Sequence, residues 1–184
     1  TIVGASISSK DKNYFIESNL ISDVMPLLND KVLYTFDNKK NIVSLNNIRT
    51  TVPSINYDLS IAASLLNYEF KDDIAYLMNI DRVTSRFYAD IKDFTLDEEL
   101  EKDIVKKSRY ILDTRDTYIN KLKTEEEYEL FKNIEMPLIN VLADMEITGV
   151  NVDKDILEEM KEELVSQIGT DDFYISEEVL KMMV

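Results

Sequence analysis

Strand-like and helix-like segments alternate through the first third of the sequence, and this alternation constrains the fold more than any other feature. Residues 1–8 and 13–17 are rich in β-branched and aromatic residues and flank a short polar stretch, which predicts a hairpin. Two further strands are predicted at residues 32–36 and 55–57. Apolar residues at helical spacing lie between these strands, so the sequence predicts an α/β fold with some parallel pairing.

Polar residues stand where the helices of this region should begin. Pro26 is tolerated only in a first helical turn, so one helix is expected to start near Asp23. Asp37 or Asn38 is expected to cap a second helix, and Asp58 a third, because such side chains accept hydrogen bonds from the free N–H groups of a first turn.

From residue 96 onward the pattern becomes helical. Apolar residues with a period of 3.6 predict one long helix over residues 96–122, and residues 106–109 fall on its solvent-facing side. Thr124 and Glu127 have the spacing of a capping box and predict the start of another helix. Pro137 should kink or break that helix.

The predicted end of this helix and the bounds of the next follow from three residues. Gly149 predicts a left-handed stop for the first. Asp153 predicts the cap of the last helix, and Gly169 its end.

The composition excludes most kinds of catalytic and binding site. The chain has no His and no Cys, which excludes imidazole and thiolate ligands, disulfides and His- or Cys-based catalysis. Its three glycines are far apart, so no glycine loop can bind phosphate. The net charge is −15, which repels DNA phosphates, so the chain alone is expected to bind nucleic acid weakly or not at all. No apolar run long enough to span a membrane and no signal peptide is visible, so we expect no membrane partner and a cytoplasmic location.

Residues 135–153 read EMPLINVLADMEITGVNVD, and this segment resembles one from the bacterial family A DNA polymerase I. In that family a similar segment leads from the 3′–5′ exonuclease-like domain into the polymerase thumb. Two earlier segments, TFDNKK at residues 35–40 and YDLSIAASLLN at residues 57–67, resemble the same domain in matching order. Residues 173–180, FYISEEVL, resemble a later part of the thumb.

The resemblance implies a fold and a domain organisation. The fold would be a ribonuclease H-like 3′–5′ exonuclease fold, an α/β arrangement in which helices flank a mixed sheet, here with its first strand missing. Residues 1–123 would form the degenerate exonuclease-like domain. Residues 124–184 would form helices that lead into the thumb, as a helical hairpin in abridged form.

The resemblance also implies where metal ligands would lie in an active relative. Active members hold two Mg or Mn ions with carboxylates from three motifs: Asp-x-Glu, Asn-x-x-x-Asp and Tyr-x-x-x-Asp. The first motif would precede Thr1, and the second falls within residues 32–40, where Lys39 or Lys40 occupies the carboxylate position. The third keeps Tyr110 but has Thr114 in place of the Asp. We therefore expect no catalytic residue, no metal and no cofactor in this chain.

Several of these residues have a second interpretation. Asp58 could be a surviving metal ligand, although helix capping is favoured. Tyr110 could stack on a base, although a half-buried helix residue is favoured. Lys39 with Lys40, and Lys106 with Lys107, could contact phosphate, although surface solubility is the favoured role of both pairs.

Three functions remain open at this point. The first is a catalytically inactive exonuclease-like domain that supports the thumb of a DNA-directed DNA polymerase, a nucleotidyltransferase of DNA replication and repair. Its partners would be DNA, reached through the parent polymerase, and the remaining thumb, palm and fingers of the same chain, with Mg required by the parent alone.

The second function is an active two-metal 3′–5′ exonuclease whose carboxylates lie partly outside the chain or are supplied by Asp113, Asp116 and Asp37. Asp113 and Asp116 are one and two positions from the motif position, which turns them about 100° and 200° around a helix. The third function is an acidic docking module for a basic partner, formed by residues 97–101 and 125–129.

Overall fold

The chain begins with the predicted hairpin. The computed structural model describes residues 2–91 and 96–168, with side chains to residue 165. Strand β1 (Gly4–Ser8) pairs antiparallel with β2 (Asn13–Glu17), with Ser8 opposite Asn13. A Cβ atom at Gly4 would lie 2.3 Å from the Phe15 ring and 3.0 Å from the Ile16 carbonyl oxygen, so a larger residue would have to displace the ring.

The helical region after the hairpin starts earlier than predicted. A 3₁₀ turn (Ser18–Leu20) leads into α1 (Ile21–Val24), and a second 3₁₀ turn follows at Met25–Leu28. The predicted start near Asp23 is wrong. Pro26 lies at the start of the second 3₁₀ turn, where its missing N–H is not needed, and the α-helix ends before it.

The centre of the molecule alternates strands and helices, which confirms the α/β prediction. Strand β3 (Tyr34–Thr35) pairs in parallel with β4 (Tyr57–Asp58), and both are shorter than or displaced from the predicted runs. Helix α2 (Asn38–Asn47) separates them, and α3 (Leu59–Leu65) follows β4. In the described part of the chain, the antiparallel and the parallel pair form two separate two-stranded sheets.

Two further helices complete this region. Helix α4 (Ile74–Ile80) was not predicted, and α5 (Glu98–Thr124) is the predicted long helix, capped by Asp97. Helix α5 packs on the hairpin, where Ser6 Oγ donates to the Ile104 carbonyl at 2.9 Å. The main core joins β3, β4, α3, α4 and α5, and its most deeply buried side chains are those of Tyr57, Leu59, Ile74, Leu77, Met78 and Leu122.

The capping box predicted at Thr124 is wrong. Thr124 is the last residue of α5, and its hydroxyl donates back to the Asn120 carbonyl at 3.0 Å. Glu126 has a φ of 63°, which ends the helix, and α6 (Tyr128–Leu130) starts without a side-chain cap. Sequence spacing alone cannot distinguish a Thr that closes one helix from a Thr that opens the next.

Pro137 does not break the helix that contains it. A π-helical segment (Phe131–Glu135) follows α6 and leads directly into α7 (Met136–Thr148). The wider π turn is the local distortion that accompanies the proline. Gly149 follows α7 with a φ of 68°, which confirms the predicted left-handed stop.

The chain divides into two compact units between Ile147 and Thr148. The second unit contains α8 (Lys154–Ile168), and Asp153 caps it as predicted, with Oδ1 accepting from the Asp155 N–H at 3.0 Å. The predicted stop at Gly169 and the thumb-like residues 173–180 lie outside the described residues. The proposed domain boundary at residues 123 and 124 stays a prediction. No helix in the described ranges is long and apolar enough to cross a membrane.

Candidate functional site

Asp58, at the end of β4, fixes the start of two helices. Its Oδ1 accepts from the Ser60 N–H at 2.8 Å and from the Ser60 hydroxyl at 2.7 Å, at the start of α3. The same oxygen accepts from the Asp37 N–H at 3.1 Å, and Oδ2 accepts from the Asn38 N–H at 2.6 Å, at the start of α2. The capping prediction for Asp58 is therefore confirmed. The residue also binds the start of α2, a contact that the sequence did not indicate.

Both oxygens of the Asp58 carboxylate already accept hydrogen bonds from the protein. The residue is only 1% exposed, and burial raises the pKa of Asp58 while the hydrogen bonds from Asn38, Ser60 and Asp37 oppose that rise. Because four donors of the protein already point at the two oxygens, a metal ion would have to displace them. This geometry disfavours Asp58 as a surviving metal ligand.

Lys39 and Lys40 lie in the first turn of α2, which Asp37 caps by accepting from the Lys40 N–H at 3.2 Å. Lys39 Nζ lies 2.6 Å from Glu146 Oε2 of α7, and this hydrogen bond raises the pKa of Lys39. Lys40 Nζ lies 5.8 Å from the centre of the Tyr88 ring. Whichever of Lys39 and Lys40 occupies the position at which the resemblance places a metal-binding carboxylate, that position carries a cation that contacts another part of the surface.

Tyr110 and Thr114 lie on α5. The Tyr110 hydroxyl donates to Asp81 Oδ2 at 2.7 Å, and burial followed by this hydrogen bond raises the pKa of Tyr110 far above its usual range. The residue is 6% exposed, so the half-buried helix role is favoured over base stacking. The Thr114 hydroxyl donates to the Tyr110 carbonyl at 2.7 Å and is therefore used within its own helix.

The two carboxylates nearest Thr114 are paired with arginines. Arg109 donates through Nε to Asp113 Oδ2 at 2.9 Å, and Arg115 pairs with Asp116 at 2.5 Å. Asp113 and Asp116 are 51% and 81% exposed. Both carboxylates thus face solvent, as their displacement around the helix predicts.

Lys106 and Lys107 do not form the solvent-facing pair that the sequence predicts. Lys107 is 6% exposed, lies 3.5 Å from Asp103 and donates to the Arg86 carbonyl at 2.8 Å. Its Nζ also lies 4.1 Å from the centre of the Tyr88 ring. Lys107 is therefore a structural residue that holds the segment after α4 against α5. Lys106, in contrast, is exposed and donates to a loop carbonyl.

The sequence contains a pattern that indicates the buried pair of Asp103 and Lys107, although the prediction of the long helix did not take it into account. Leu100, Asp103, Lys107 and Tyr110 follow one another at spacings of three and four residues, which places all of them on one helix face. An Asp and a Lys at i and i+4 within a buried line predict a buried ion pair rather than two solvated side chains.

The residues at the expected metal positions do not fit a divalent cation. Mg and Mn require several anionic oxygens, whereas these positions offer two ammonium groups and one hydroxyl that is already engaged. Within residues 2–91 and 96–168, no three acidic side chains come together in a way that could hold a metal ion. Lys39 and Lys40 contact α7 and Tyr88, whereas Tyr110 donates to Asp81 directly after α4, so the structure gives these residues separate partners.

A family of known proteins matches the first part of the chain. The family described as DNA polymerase I, ribonuclease H-like domain, matches residues 1–86. The α/β structure is consistent with that fold, which confirms the fold class predicted from the sequence.

Similarity to curated proteins extends further along the chain. The DNA polymerase I of Bacillus subtilis is 29% identical over 180 residues, which is 91% of this chain and 20% of that protein. The DNA polymerase I of Geobacillus stearothermophilus is 28% identical with the same coverage, and that of Bacillus caldotenax is 30% identical over 73% of this chain and 16% of its own length. The chain thus spans a fifth or less of the length of these relatives.

Proposed function

We propose, because residues 1–86 match the family described as DNA polymerase I, ribonuclease H-like domain, that the chain is the exonuclease-like domain of a DNA polymerase I together with the start of its thumb. The proposed role of the domain is architectural. It would be a packed α/β block that supports the thumb of a DNA-directed DNA polymerase used in replication and repair. It would not itself cleave DNA.

One observation carries the proposed loss of nuclease activity. The positions that resemble the metal-binding carboxylates are occupied by Lys39 or Lys40 and by Thr114, and the structure gives each of these side chains another partner. Two-metal hydrolysis needs carboxylates to hold the ions that produce the hydroxide and clamp the phosphate. Without those ligands neither function of the metals can be performed.

The contacts of the remaining carboxylates disfavour the active-exonuclease alternative. Asp113 and Asp116 are paired with arginines on the surface, and Asp37 caps α2. A site built from these three residues would have to break two ion pairs and a helix cap. The acidic docking alternative is disfavoured by similar reasoning, because Glu98 and Glu99 already pair with Lys102 and Arg86.

The remaining parts of the proposal concern the parent protein. DNA would be bound by the thumb, palm and fingers of the same polypeptide, because the net charge of −15 makes this chain a poor ligand for phosphates. Mg would be required by the polymerase centre and not by the residues described above. A polymerase of this class would act in the cytoplasm.

A nuclease assay on the purified chain tests the proposal. Single-stranded DNA labelled at its 5′ end should remain intact with Mg or Mn, and the same result is expected after Asp113→Asn or Asp116→Asn. Degradation that needs a divalent cation and stops with EDTA would refute the proposal. Loss of that degradation in Asp113→Asn would then identify the active-exonuclease alternative as correct.

A further inference from the structure

A cleft of about 400 Å³ lies between α2, α7 and the segment that leads into β4. This volume is in the range of about 300–1,000 Å³ that is typical of small-molecule sites. Beside the cleft, Ile139 and Ala143 of α7 pack against Ile42 of α2, and all of these elements belong to the first compact unit. Among the described residues that line it, none stands at an expected metal position, so the proposed function does not use this cleft.

Asn38 is the most deeply buried polar residue of the cleft. Asn38, Ile42 and Asn46 are four residues apart and present one face of α2 to the cleft. Asn38 is 6% exposed, and its backbone N–H donates to Asp58 Oδ2 at 2.6 Å. Its carboxamide forms no hydrogen bond with another residue in the described part of the chain. Because buried polar side chains nearly always have a partner, this carboxamide indicates that the cleft receives a polar ligand.

The polar lining of the cleft contains acceptors but no cation. Three carboxamides, one hydroxyl and one carboxylate line it, and they belong to Asn38, Asn46, Asn140, Ser54 and Asp144. Among the described lining residues there is no Lys or Arg, and Lys39, next to Asn38, is paired with Glu146. An anionic ligand would therefore meet the Asp144 carboxylate without a cation in the lining, whereas a cationic ligand would be attracted.

The walls of the cleft are aliphatic. They are formed by Ile42, Val52, Pro53, Ile55, Met136 and Ile147. No aromatic ring belongs to the described lining, so a flat aromatic ligand would find no ring to stack on. A chain of methylene groups, in contrast, packs well against aliphatic side chains, and its burial there is favourable.

An aliphatic chain with ammonium groups at its ends meets these requirements. We propose that the cleft binds an aliphatic diamine or polyamine. One ammonium would donate to the carboxamide oxygen of Asn38, and a second to oxygens of Asn140 and Asp144, which are four residues apart on one face of α7. The methylene groups between them would pack along the aliphatic walls. The net charge of −15 would increase the local concentration of such a cation.

An NMR titration of the nitrogen-labelled chain with 1,5-diaminopentane tests the proposal, because every Asn carboxamide gives its own pair of N–H signals. The diol 1,5-pentanediol is the neutral analogue with the same carbon chain. Asp144→Asn and Asn140→Ala each change one polar group of the cleft. Their matched controls are Asp30→Asn, in an exposed turn, and Asn47→Ala, on another face of α2, and neither residue lines the cleft.

We expect saturable shifts of the Asn38 and Asn140 carboxamide signals with the diamine and none with the diol. Asp144→Asn should weaken binding about 5-fold or more, because a hydrogen bond between two charged groups is lost, and Asn140→Ala should weaken it as well. Asp30→Asn and Asn47→Ala should bind the diamine as the original chain does.

Three results would overturn the proposal. Shifts of equal size with the diol would show that the ammonium groups are not recognised. An equal loss of affinity in Asp30→Asn and Asp144→Asn would identify the diamine as a counterion of the acidic surface. An absence of shifts at the cleft would show that the diamine does not bind there, and it would leave the proposed function untouched.

Discussion

Breaking the buried ion pair between Asp103 and Lys107 should lower the free energy of unfolding by a large amount. The two side chains are each 7% exposed, and Asp103 also accepts from the Ser85 hydroxyl at 3.1 Å and from the Arg86 N–H at 3.3 Å. The substitution Asp103→Ala removes the carboxylate that faces a buried ammonium, which keeps its bond to the Arg86 carbonyl, and leaves two donors without an acceptor. Breaking one side of a buried pair typically costs about 3–5 kcal/mol, and the two lost hydrogen bonds place this variant at the upper end, near ~5 kcal/mol.

The pH dependence of this loss follows from the pKa of Lys107. Burial lowers that pKa below its ordinary 10.5, and Asp103 and Asp73 oppose the decrease. Tyr88, which faces the ammonium, has a pKa raised to about 12 by burial and stays neutral. Without Asp103 the folded pKa of Lys107 falls further. Between that pKa and 10.5 the unfolded state binds a proton that the folded state does not, so the stability of the variant rises with pH.

Urea unfolding at pH 7 and at pH 10 measures both effects. The loss caused by Asp103→Ala should be largest at pH 7 and clearly smaller at pH 10. The matched double variant Asp103→Leu/Lys107→Met should lose less than Asp103→Ala, because it leaves no buried ammonium without a carboxylate, although the Ser85 hydroxyl and the Arg86 N–H still lack their acceptor. A loss below about 1 kcal/mol at pH 7, or one that does not change with pH, would show that the pair is solvated and would refute the reasoning.

Three further effects on unfolding can be measured in the same way. Asp58→Ala should lower the free energy of unfolding by about 2–4 kcal/mol, because it removes the cap of α3 and the contact with the start of α2; a loss below about 1 kcal/mol would contradict this combined role. Tyr110→Phe should cost about 1–2 kcal/mol, since Asp81 loses a buried donor; an unchanged midpoint would contradict that contact. Glu126→Gly should stabilise the chain by about 0.5–1 kcal/mol because its φ is 63°, whereas Glu125→Gly, at a φ of −85°, should not.

The parts of the fold that were predicted correctly depend on local chemistry. Asp37, Asp58 and Asp153 cap the helices that their positions predict, and Gly149 ends α7. A carboxylate beside free N–H groups, or a glycine at a positive φ, has the same effect in any fold. The hairpin was also predicted correctly, because its two strands are neighbours in sequence.

The sequence predictions fail where tertiary packing determines the local structure. Helix α4 is short and contains four buried residues, so its stability comes from the core and not from a clear periodic pattern. Lys107 was assigned to the solvent because it is charged, although its position on the helix places it beside Tyr110. Thr124 has the residue types of a helix start but stands at a helix end, since Glu126 turns the chain there.

For the candidate site, the sequence predicted which residues stand at the motif positions but not which partners they contact. The resemblance predicts that Lys39 or Lys40 and Thr114 stand at the motif positions, and this stays a prediction, whereas their partners Glu146, Tyr88 and the α5 backbone could not be predicted. These contacts join residues that are up to 107 positions apart. No local pattern encodes such a pairing.

Manganese binding tests the central claim about the degenerate site most directly. Crystals of the chain soaked in manganese chloride would be measured at a wavelength where Mn scatters anomalously. We expect no anomalous peak beside the first turn of α2 or beside Thr114, where Lys39, Lys40 and a bonded hydroxyl are proposed to stand in place of carboxylates. Two strong peaks about 4 Å apart at that position, the spacing of a two-metal site, would contradict it.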